Sequence, residues 1–118
     1  MERMQKDIDD VIGTRTPSMT DKVNLPYVEA FINEIHRIVS VVPLGVPHSV
    51  TEDCKFRGYD IPNGTTIMSV TTSIHFDEKT WEDPYEFRLE RFLDENGQVT
   101  NTEKLVPFSV GKFLGRSL

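Results

Sequence analysis

From Asp77 to Leu105 the sequence shows almost no helical or strand periodicity, and that stretch constrains the fold more than any other feature. Trp81, Tyr85, Phe87 and Phe92 are scattered among charges, and Asp94-Glu95-Asn96-Gly97 marks a turn. A structureless run of this length does not suit a free-standing small domain. It suits a loop packed against a larger body. The chain has 118 residues, enough for one small domain, and its 37% hydrophobic content is low for a chain that buries its own core. With 27% charged residues and a mean hydropathy of -0.37, it reads as a thin-cored domain or a piece of a larger one.

The flanking elements are more regular. Met4, Ile8, Val11 and Ile12 recur at helical spacing, so residues 2–12 are predicted helical, with Gly13 as the stop. Thr14 to Asn24 reads as a loop. A second helix is predicted over 26–42, opened by Pro26 and ended by Pro43 and Pro47. Its apolar stripe is Val28, Phe31, Ile32, Ile35, Ile38, Val39 and Val42. Residues 49–71 read as short strands. A hairpin is expected around Pro62-Asn63-Gly64, with Tyr59-Asp60-Ile61 before it and 65–70 as the returning strand. A short helical piece follows around Thr72 to His75. The fold class is mainly α with a small β-hairpin region, an α+β arrangement.

A net charge of -6 and a pI near 5.0 argue against nucleic acid and anionic membrane surfaces as partners. The single cysteine, Cys54, excludes an internal disulfide and fits a reducing compartment. It lies in a β-like run, away from any helix N-terminus that would favour its thiolate, and is expected to be a semi-buried small side chain. His36, His48 and His75 show no metal-ligand spacing. No signal peptide or membrane span is visible, so the chain alone is expected to be soluble or aggregated.

Two motifs carry chemistry. On a helix, Glu34 and Arg37 face the same flank, away from the apolar stripe, which makes them a solvated ion pair by periodicity. Tyr27, Ala30 and Val41 share that flank, so it is not purely polar. The second motif is Pro107-Phe108-Ser109-Val110-Gly111-Lys112. It resembles the opening of the haem-binding loop P-F-S-x-G-x-R-x-C-x-G of the cytochrome P450 family. In register, the loop's Arg falls at Phe113 and its Cys at Gly115. That Cys supplies the thiolate ligand of the iron.

The resemblance extends over nearly the whole chain. Glu34-Ile35-His36-Arg37 with Leu89-Glu90-Arg91-Phe92 is similar to the family's E-x-x-R and x-E-R-F pair, which implies a structural triad of Glu34, Arg37 and Arg91. Residues 1–13 resemble the J helix and 26–42 the K helix, followed by a β-hairpin and an irregular meander. Val42-Pro43-Leu44-Gly45-Val46-Pro47-His48 and Phe56-Arg57-Gly58-Tyr59 resemble the microsomal drug- and steroid-metabolising branch. By that resemblance Val42 and Val46 line the substrate pocket and His48 donates to a haem propionate. By residue type alone, Val42 and Val46 are apolar filler after a helix and His48 is a surface loop residue.

The resemblance implies that 1–118 is a partial C-terminal portion of a single haem-thiolate monooxygenase domain, with 113–118 as a divergent tail. The parent enzyme is expected to bind haem b and take electrons from an NADPH-dependent flavoprotein reductase. It is expected to oxidise small lipophilic substrates such as xenobiotics, steroids or fatty acids at the endoplasmic reticulum membrane. The oxygen-activating helix and the membrane anchor of the family are expected upstream of residue 1. The chain itself, with Gly115 at the ligand position and no stably bound haem, is expected to be inactive and, alone, cytoplasmic. A different class of reading makes it a non-enzymatic interaction or dominant-negative fragment that binds the reductase or the full-length enzyme. An unrelated acidic α+β domain requires the ordered motif matches to be coincidence.

Overall fold

The computed structural model describes residues 2–108. Three helices, α1 (Glu2–Val11), α2 (Pro26–Val39) and α3 (Thr71–His75), combine with four short strands. These are β1 (His48–Ser49), β2 (Cys54–Phe56), β3 (Tyr59–Ile61) and β4 (Thr66–Ile67). The expected α+β class is observed, as helices with two small antiparallel sheets.

α1 ends where its glycine directs: Gly13 takes φ +60° and donates its N–H to the Ile8 carbonyl at 3.4 Å. No α1 residue is buried, and Arg3 lies over the Tyr27 ring of α2 at 4.1 Å. The expected loop 14–24 contains a 3-10 helix, Met19–Asn24. Ser18 caps it, accepting from the Thr20 N–H at 3.4 Å and donating its own N–H to Asp21 Oδ2 at 2.7 Å. Arg15 closes on the same carboxylate, Nη1 to Oδ2 at 2.8 Å. The Ser18-x-x-Asp21 spacing was the available signal.

α2 stops at Val39, three residues before the expected end. Ser40 takes the left-handed conformation, φ 41°, and donates its hydroxyl to the Arg37 carbonyl at 3.2 Å. Neither Pro43 nor Pro47 is needed to end the helix. The orientation of α2 also overturns the periodicity reading. The buried line is Ala30, Glu34 and Arg37, each 0% exposed, whereas Ile32 is 46% and Val39 60% exposed.

The hairpin turns at Arg57-Gly58, not at Pro62-Asn63-Gly64. Both turn residues have positive φ, 50° and 88°, which a two-residue antiparallel turn demands. It pairs Cys54 with Ile61 and Phe56 with Tyr59. The Pro62-Asn63-Gly64 turn forms, with the Thr65 N–H on the Pro62 carbonyl at 3.2 Å, but it sends the chain elsewhere. β4, shorter than the expected 65–70, returns to β1 with His48 opposite Ile67. The inner hairpin is therefore nested within an outer pair.

α3 follows as expected and docks beneath the end of α2. Thr71 Oγ1 donates to the Val42 carbonyl at 2.8 Å and lies 3.0 Å from that of Pro43. Gly45 is part of this seat, at φ +64°. A Cβ there would collide with Ser69 Oγ and stand 3.0 Å from the Ser69 carbonyl oxygen. Gly45→Ala is expected to destabilise the chain by more than the ~1 kcal/mol of an ordinary left-handed penalty, since clash adds to strain. A urea midpoint equal to that of the unsubstituted chain would count against this seat.

Residues 77–105 are irregular, as expected, yet closely bonded. Asp77 accepts at its carbonyl from the Thr80 and Trp81 N–H groups, and Trp81 Nε1 donates to the Ile74 carbonyl at 3.1 Å. A 3-10 helix, Leu89–Phe92, lies on α2, and a Leu93–Val99 bridge closes the Asp94–Gly97 turn. A last 3-10 turn spans Thr102–Lys104. Ala30, Trp81, Leu89 and Phe92 form the core cluster, with Tyr27, Phe31, Leu93 and Leu105 half-buried against it.

Candidate functional site

The centre of the molecule is an ionic cluster built by α2 and the 77–92 segment. On α2, Glu34 and Arg37 are one helical step apart and form a bidentate pair. Arg37 Nε donates to Glu34 Oε2 at 2.8 Å and Nη2 to Oε1 at 2.8 Å. The 3-10 helix supplies the second cation, with Arg91 Nε donating to Glu34 Oε1 at 3.2 Å. The Arg88 N–H adds a bond to Oε1 at 2.8 Å. The sequence-expected Glu34, Arg37 and Arg91 are thus brought together. The solvated pair inferred from periodicity is corrected: Glu34 and Arg37 are wholly buried, and the Arg91 side chain is 8% exposed.

Two guanidinium groups around one carboxylate leave a net positive charge inside the fold. The backbone answers it. All five N–H donors of Arg37 are used: beyond Glu34, they reach the carbonyls of His75 at 2.8 Å, Pro84 at 2.7 Å and Glu86 at 3.2 Å. Arg91 donates to the carbonyls of Glu82, Asp83 (2.8 Å) and Glu86 (3.0 Å). Segment 82–86 is therefore wrapped around two cations, carbonyls inward, and Asp83 takes φ 44° within it. The Arg37 guanidinium also lies 5.5 Å from the Trp81 ring and 5.7 Å from that of Phe76.

Burial pushes the Glu34 carboxyl upward, but the Arg37 hydrogen bonds, the Arg88 N–H, the Arg37 charge and Arg91 outweigh it. The net result lies below the ordinary 4.5. The carboxylate is ionised with both oxygens engaged, Arg37 uses all five of its N–H donors, and Arg91 uses four of its five. The cluster organises backbone, binding the carbonyls of His75, Glu82, Asp83, Pro84 and Glu86.

The other sequence candidates lie elsewhere. Val42 is half-buried after α2, Val46 is exposed, and His48 is exposed on β1. Phe113 and Gly115 fall outside the described residues. Cys54, expected semi-buried, is exposed in β2, because the tight Arg57-Gly58 turn leaves β2 and β3 as a two-stranded ribbon with exposed faces. Among the described residues no group of three His, Cys, Asp or Glu side chains could hold a metal ion. No helix of the described residues is long and apolar enough to cross a membrane. Sequence reasoning missed the carbonyl cage of 82–86, the Arg88 N–H and His75. For the cage the only signal was Asp83-Pro84, just before Leu89-Glu90-Arg91-Phe92.

The cytochrome P450 family model matches residues 1–113. The chain is 45% identical over 112 residues to cytochrome P450 2U1 of Homo sapiens, covering 94% of this chain and 21% of that protein. It is 47% identical over 111 residues to cytochrome P450 2C8 of Homo sapiens, covering 93% and 23%. With cytochrome P450 2B4 of Oryctolagus cuniculus the identity is 45% over 112 residues, covering 94% and 23%. The chain belongs to the cytochrome P450 family. It spans about a fifth of the length of these curated relatives.

Proposed function

We propose that residues 1–118 are a C-terminal portion of a single haem-thiolate monooxygenase domain of the microsomal branch, with 113–118 a divergent tail. The whole domain would oxidise small lipophilic substrates with O2 and electrons from an NADPH-dependent flavoprotein reductase at the endoplasmic reticulum membrane. The portion described by this chain serves as scaffold: Glu34, Arg37 and Arg91 are its structural triad and pin the 82–92 segment to α2. Val42 and Val46 belong to the substrate side and His48 to the haem propionates.

Support for the partial-domain reading is physical. The radius of gyration is 18.6 Å, against roughly 13–14 Å for a compact chain of this length. Val39, Val41, Leu44, Val46, Met68 and Val70 are exposed, while the buried apolar cluster holds four residues.

The family's haem iron takes a cysteine thiolate, and the residues of this chain do not fit it. Cys54 is exposed on a two-stranded ribbon with Ile61 opposite, and Gly115 stands in the ligand's register. That observation carries the proposal that the chain itself is inactive. The carbon-monoxide difference spectrum of the reduced chain after haem addition tests it. No band of a thiolate-ligated iron is expected, and the appearance of one would overturn the proposal.

A further inference from the structure

His75 ends α3, is wholly buried, and contributes only its carbonyl to the ionic cluster. Its ring has separate partners. Nε2 lies 3.0 Å from the Val106 N, and Nδ1 lies 3.1 Å from Ser40 Oγ. A backbone N–H only donates, so Nε2 must be unprotonated. The ring proton then sits on Nδ1 and is donated to Ser40 Oγ, whose own proton goes to the Arg37 carbonyl at 3.2 Å. One neutral tautomer satisfies all of these bonds. The ring therefore ties together the end of α2, the end of α3, and residues 105–108, which lead directly into the Pro107-Phe108-Ser109-Val110-Gly111 motif.

We propose that His75 is a positioning residue and a proton-sensitive latch. Its neutral ring holds Val106, and with it the start of the 107–112 motif, against α2, and protonation at Nε2 releases that segment. The protonated ring turns a donor toward a donor, and the Val106 N–H, on a residue 8% exposed, loses its acceptor.

The surroundings favour the neutral ring. From α2 come Arg37 and the Glu34 that it binds, with His36 set edge-on to Phe108 at 6.2 Å between centroids. From the Leu89–Phe92 helix comes Arg91, giving the cluster with Glu34 and Arg37 a net positive charge. From the segment after α3 comes Asp77, whose carboxylate is taken by the Lys79 N–H and the Thr80 hydroxyl. Residues 105–108 bring no charge. Burial first, and the Arg37 charge second, hold His75 below the ordinary 6.5. A depressed histidine contributes fully above about 6.5, and that contribution is lost as pH falls through the lower latched value.

The latch requires no haem and no turnover, so it can fail while the monooxygenase reading stands, and the reverse. Imidazole 15N spectra of the 118-residue chain, with amide exchange at Val106, test it. The expected result is the Nδ1–H tautomer at neutral pH. Val106 protection should fall by roughly tenfold per pH unit from 6.5 down to the pH at which the latched imidazole protonates, and level off below it. His75→Gln keeps an acceptor and removes the titration. It should retain protection and lose the pH step, which a merely space-filling role would not produce. The Nε2–H tautomer, which an unfolded chain also gives, overturns the proposal, as does Val106 protection that ignores the imidazole titration.

Discussion

Glu34→Ala is expected to remove about 3–5 kcal/mol of folding stability, because it leaves two enclosed guanidinium groups without their anion. Even an intact domain has only about 5–15 kcal/mol in total, so the loss takes much of it. The expectation follows from geometry more than from charge. Glu34 accepts from Arg37 twice, from Arg91 and from the Arg88 N–H. Removing it orphans donors on α2 and on the Leu89–Phe92 helix at once. An exposed pair would cost only about 0–1 kcal/mol. Urea unfolding distinguishes the two, and a change of under ~1 kcal/mol would mean that the pair behaves as solvated. Acid provides a second readout. Glu34 lies below its ordinary 4.5, so its contribution is present above that pH and is lost as pH falls through the lower folded value. The alanine variant should lack this part of the acid limb.

The same residue shows what hydrophobic periodicity does and does not reveal. The pattern 28, 31, 32, 35, 38, 39, 42 predicts a helix over 26–42, of which 26–39 is helical, and Pro26 opens it as expected. It misorients the helix, because Glu34 is buried by partners 54 and 57 residues away, Arg88 and Arg91. The ordered pair of motifs, Glu34-x-x-Arg37 and Glu90-Arg91-Phe92, carried that information, and the apolar Tyr27, Ala30 and Val41 on the same flank pointed the same way. The β region went wrong for a different reason. Pro62-Asn63-Gly64 and Arg57-Gly58 are both real turns, and local chemistry does not rank them; the pairing of Cys54 with Ile61 does. The Asp94–Gly97 turn was legible because its bonds are local, Gly97 N–H to the Asp94 carbonyl at 3.0 Å. The role of His75 was not, since Ser40 and Val106 lie 35 and 31 residues from it.

Phe92→Ala should cost a comparable ~3–5 kcal/mol, through packing instead of charge. Phe92 is 0% exposed, and its ring sits 5.5 Å from that of Trp81, over Ala30 and beside Leu89. In a core this small no neighbouring apolar layer can move in. Irregular backbone is in general soft enough to collapse into a cavity of this kind. Here it is held back, because carbonyls of 82–86 are bonded to Arg37 and Arg91. That restraint favours the upper part of the range, since cavity cost rises where relaxation is blocked. Trp81 fluorescence during urea unfolding reports the site directly, and a loss of under ~1 kcal/mol would show that the segment does collapse. Arg91 and Phe92 are consecutive residues of one 3-10 helix, one gripping Glu34 and the other filling the core. Once either anchor is gone, the other holds a loosened segment. The double variant of Glu34→Ala and Phe92→Ala should therefore lose less than the sum of the single losses, with a coupling of ~0.5–3 kcal/mol. Strict additivity would mean that the ionic cluster and the apolar core stabilise the 77–92 segment independently.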